Sequence, residues 1–80
     1  MEHTNQPSIV EFLGSCQLLP NISIIRLKIN MVISTVIFRS YDEISGVLYF
    51  NFVTGTDQIS VGVNEIKSIE TIRGDWHRNN

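Results

Sequence analysis

The feature that most constrains this chain is its supply of branched aliphatics. Twelve Ile and seven Val stand among 80 residues, with no Ala at all. Ile and Val are stiff at χ1 and fit a pleated surface, whereas alanine is the strongest helix former. A chain so composed is a strand former. It is also short, enough for one domain over 1–80. A domain of this size buries only about 60% of its unfolded surface, so its core must come from few elements.

One segment departs from the strand pattern. Ser8 follows Pro7 and has Glu11 three residues on, which makes a capping box. Ile9, Phe12, Leu13 and Cys16 then recur at helical spacing. The pattern predicts a helix over 8–18, weakened by Gly14 and stopped by Pro20. From Asn21 the period shortens to two. Strands are expected over 22–29, 31–39, 45–53, 58–63 and 68–72. Ile25, Leu27 and Ile29 share one face of the first strand, and Arg26 and Lys28 the other.

Turns are expected at Asn30-Met31, 40–43, 54–57 and 64–66, the last as one 3₁₀ turn. Residues 1–6 read as a mobile polar arm and 74–80 as a polar tail holding Trp76. The expected fold is mainly β: a small five-stranded antiparallel barrel over 22–72, Sm-like or SH3-like, with the N-terminal helix laid over one open end. The second strand is apolar on both faces. Either the helix covers the excess or self-association into a homo-oligomer does.

Eight Asp/Glu stand against six Lys/Arg. Gripping phosphates needs a surplus of cations, so this balance disfavours a nucleic-acid binder and suits docking on a basic surface. The lone cysteine, Cys16, excludes an intramolecular disulfide. The first residues lack the basic and apolar regions of a signal peptide, and no apolar run is long enough to span a bilayer. A cytoplasmic protein with no membrane partner is expected.

Few groups suit catalysis. His3 and His77 fall in the expected ragged ends, and Cys16 on the apolar stripe reads as a buried, inert thiol. There is no Cys/His cluster, and none of the scattered glycines opens a helix. The expectation is a binding protein and not an enzyme, with no metal and no cofactor. Direct RNA binding is a weaker expectation. It would use Arg26 and Lys28, Arg39 nearby, and Tyr41 and Tyr49 for stacking, but two cations at i and i+2 are common on any solvated strand face.

The layout resembles Rof, the small bacterial inhibitors of transcription termination factor Rho. The matching pieces are Gln6-Pro7, Leu13-Gly14-Ser15-Cys16-Gln17, Ile25-Arg26-Leu27-Lys28, Gly55-Thr56 and Asn64-Glu65-Ile66-Lys67-Ser68. The register holds without gaps over about 25–74. The family's Tyr-x-Pro-Ile-x-Cys start is replaced here by Asn5-Gln6-Pro7-Ser8-Ile9, and its Asp-Gly first hairpin by Asn30-Met31. The resemblance implies an Sm-like barrel that docks on the RNA-binding domain of Rho, blocks RNA loading and so opposes termination. It places the partner-binding carboxylates at Glu11, Asp42 and Glu43, where acidic groups would complement a cleft built for phosphates. Two alternatives share the composition: an Sm-like RNA-binding subunit that forms a ring by edge pairing, and a phage or mobile-element inhibitor of another host machine.

Overall fold

The computed structural model describes residues 7–78. Helix α1 spans Ile9–Ser15 and starts with the expected capping box. Ser8 Oγ accepts from the Glu11 N–H at 3.2 Å, and Glu11 Oε1 accepts from the Ser8 N–H at 3.2 Å. The helix stops at Ser15, short of 18, because Gln17 turns to a φ of 57°, a left-handed conformation that no helix continues through.

Six strands follow: β1 (Ile24–Ile29), β2 (Val32–Asp42), β3 (Val47–Phe52), β4 (Ile59–Gly62), β5 (Ile66–Thr71) and β6 (Gly74–His77). A 3₁₀ turn over Val63–Glu65 joins β4 to β5, as the sequence predicts. The strands form one antiparallel sheet in the order β4-β3-β2-β1-β5-β6. Mainly β is therefore correct, but the barrel and the count of five strands are not. β4 lies at one edge and β5 near the other, yet one short turn connects them, so the sheet has to wrap. It does not close. β6 pairs along β5 from Ser68↔His77 to Thr71↔Gly74, and the Arg78 N–H donates to Lys67 O at 2.8 Å. That occupies the outer edge of β5, which β4 would need for closure.

The expected polar tail is thus a strand over 74–77. Trp76 sits opposite Ile69 and is only 4% exposed. Its Nε1–H donates to Pro7 O at 2.9 Å and ties the end of the sheet to the entry of α1. Residues 79 and 80 lie outside the described residues, as does the expected mobile arm over 1–6.

β2 runs through the loop expected at 40–43. A bulge at Arg39 shifts the register, so Phe38 faces Phe50 while Ser40 faces Tyr49, and pairing continues to Asp42↔Val47. The turn then covers 43–46. At the other end of β2, Asn30 takes a φ of 58° and closes the tight turn from β1. Asn is the non-glycine residue that adopts this conformation most readily.

The core is one cluster. Ile9, Phe12, Leu13 and Cys16 meet Ile25, Leu27, Val36, Phe38, Leu48, Phe50, Ile66 and Ile69 on the inward face of the sheet. α1 therefore covers only the face that alternation already marked as inward. The β1–β2 end stays open: Met31 is 86%, Val32 62% and Ile33 52% exposed. The helix does not cover the excess on β2, because it lies on the core side.

Candidate functional site

Of the three expected partner-binding residues, Asp42 and Glu43 share the β2–β3 turn. Asp42 Oδ1 accepts from the Ile44 N–H at 3.0 Å and the Ser45 N–H at 3.3 Å, and Asp42 O accepts from the Gly46 N–H at 2.8 Å. Gly46 supplies the positive φ, 70°, that returns the chain into β3. Its carbonyl accepts from the Val63 N–H at 2.9 Å, so the turn is pinned to the 3₁₀ turn. Hydrogen bonds from Ser45 hold the Asp42 carboxyl below its ordinary value, so it is an anion throughout the physiological range. Glu43 is exposed, and Ile44 is 99% exposed. The result is a rigid tip carrying two carboxylates and one aliphatic side chain.

Glu11 stands apart on α1 and is engaged in the capping box. Among the described residues, no hydrogen bond or ion pair links it to the turn. Tyr41 lies beside the tip. Its hydroxyl is shut off from water without a hydrogen-bond partner. Burial raises its pKa, and the negative charges of Glu43 and then Asp42 add to the rise.

The opposite end of β2 has the opposite charge. A groove of about 450 Å³ is lined by Lys28, Lys67 and Arg78, by the apolar Met31 and Ile33, and by Asn30, Ser68, Glu70 and His77. Pairing explains the assembly. Lys28 faces Ile33 of β2 on one side and Ser68 of β5 on the other, and Ser68 faces His77 of β6. Lys67 is the extra residue where the β1–β5 register shifts. Arg78 is fixed in place: Nε–H donates to Ile66 O at 2.9 Å, Nη2–H to Val63 O at 2.8 Å, and the guanidinium lies 5.0 Å from the centre of the Trp76 ring. The one carboxylate, Glu70, pairs with Arg26 at 3.3 Å.

The cations considered for RNA binding therefore separate. Arg26 is paired, Arg39 Nη1 donates to Asn51 Oδ1 at 3.2 Å on β3, and only Lys28 reaches the groove. Neither Tyr41 nor Tyr49 lines it. Lys67 and Arg78 escape a reading of the sequence because one sits at a bulge and the other follows an unrecognised strand.

Cys16 is buried, and burial raises its thiol pKa, which keeps it protonated and unreactive. Among the described residues, no group of three or more His, Cys, Asp or Glu is placed to hold a metal ion. No described helix is long and apolar enough to cross a membrane. Comparison of the chain with protein-family models, with curated proteins and with solved structures finds no match.

Proposed function

We propose that the chain is a small protein-binding regulator that docks on the RNA-binding domain of Rho, as the Rof proteins it resembles do, and so inhibits transcription termination. The β2–β3 turn is the observation that supports this reading. Its carboxylates Asp42 and Glu43 flank a fully exposed Ile44 on a loop held by its own hydrogen bonds. A cleft built to hold phosphates presents cations, and a rigid acidic tip complements them with little ordering entropy. Glu11 is a second acidic contact in this reading, although its capping role accounts for its position.

The test is calorimetric titration of the purified RNA-binding domain of Rho at low salt, where charge pairing is strongest. Glu43→Lys should weaken binding by about tenfold or more, since reversing a rim charge sets like charges against each other. Absence of any binding by the unaltered chain would refute the proposal. The Sm-like ring alternative would have to pair β4 of one copy with β6 of the next, because β6 takes the edge of β5. An inhibitor of another host machine would use the same turn and differ in its partner.

A further inference from the structure

The acidic tip and the basic groove match each other. The tip offers Asp42, Glu43 and an Ile44 that packs against nothing in its own molecule. The groove offers Lys28, Lys67 and Arg78 beside the exposed aliphatic walls Met31 and Ile33. Among the described residues, neither lysine has an ion-pair partner, and Glu70 is already taken by Arg26. The two surfaces sit at opposite ends of β2, which runs over Val32–Asp42. The tip does not fill its own groove: Ile44 is 99% exposed, and among the described residues no ion pair joins Asp42 or Glu43 to Lys28, Lys67 or Arg78.

We propose that the protein self-associates head to tail, the Asp42-Glu43-Ile44 turn of one copy seating in the Lys28/Lys67/Arg78 groove of the next. A second copy fits better than a nucleic acid. The aromatic side chain in its lining is His77, with no Tyr, Trp or Phe, and its aliphatic walls match Ile44 and not a sugar-phosphate backbone. The contact joins two different patches, so each copy keeps one of each free and assembly proceeds to short chains or a ring. A tip-in-groove contact is below the area of a standard interface, so association is weak and salt-sensitive. The inference does not depend on which partner the turn otherwise docks on.

Sedimentation velocity of the full chain at low salt tests it, from about 10 μM to about 1 mM, the range in which contacts of this size saturate. The average mass should rise with concentration and fall back to the monomer when salt shortens the screening length to about 3 Å. A groove variant, Lys28→Glu with Lys67→Glu, and a tip variant, Glu43→Lys with Ile44→Ser, should each be monomeric. Their equimolar mixture should form dimers and stop there, because one groove and one tip remain functional. Circular dichroism checks that each variant is folded, and Met31→Asp replaces the double-lysine variant if that one is not. A wild-type chain that stays monomeric throughout would overturn the proposal. So would assembly that survives in the groove variant, or a monomer whose groove instead binds single-stranded RNA. Rho titrations at concentrations where the chain is monomeric are unaffected by any of these outcomes.

Discussion

Tyr41 illustrates how the tip taxes its surroundings. Its hydroxyl is removed from water and makes no hydrogen bond. A buried polar group without a partner costs about 1–3 kcal/mol of desolvation. Tyr41→Phe should therefore raise stability by about 1 kcal/mol, read as a higher urea midpoint at neutral pH. The same residue sets an alkaline limit. Its folded-state pKa is raised by burial and by Glu43 and Asp42, so the unfolded chain loses this proton first. Stability should fall as pH rises above about 10, the ordinary tyrosine value, and Tyr41→Phe should flatten that fall. Asp42 acts at the other limb. Its carboxyl is held low, so its contribution is complete above the unfolded value of about 3.9 and is lost as pH falls through the folded one. Asp42→Asn keeps an acceptor without the charge and should make the acid limb of a urea-midpoint profile shallower. At this scale the sequence is legible where a side chain serves its own neighbours, as Ser8 and Glu11 do. It is silent on Arg78, whose partners Val63 and Ile66 lie far along the chain.

Among the elements, β6 decides the architecture. Only Trp76 marks it as apolar in Gly74-Asp75-Trp76-His77, too little alternation to announce a strand. Yet Trp76 fills the core opposite Ile69 and fastens the start of α1 through Pro7. Trp76→Ala should cost about 3–5 kcal/mol. That approaches the whole stability of a small domain, so the variant should be largely unfolded at 37 °C in a circular-dichroism melt. A melting temperature within a few degrees of the wild type would show that β6 is dispensable. The other strands were foreseeable from their runs of β-branched and aromatic residues. Their ends were not, since the extension of β2 past Arg39 depends on a bulge that only the partner strand reveals.

The whole molecule is a wrapped but open sheet with unlike ends. Periodicity marks which residues face inward, but closure depends on which strand reaches the outer edge of β5, a non-local competition that β6 wins. The charge layout has the same origin. A composition that is acidic in total hides a basic groove, because Lys28, Lys67 and Arg78 meet only through the pairing of β1, β5 and the segment after β6. The overall excess of acid gives no sign of this groove, which the fold builds beside the acidic β2–β3 turn. The most direct test of the docking surface is a nuclear magnetic resonance titration of the isotope-labelled chain, kept dilute, with the RNA-binding domain of Rho. Shifts should concentrate at the amides of 41–46, with Lys28 and Lys67 unmoved. Shifts centred on the groove, or none at all, would contradict docking through the turn.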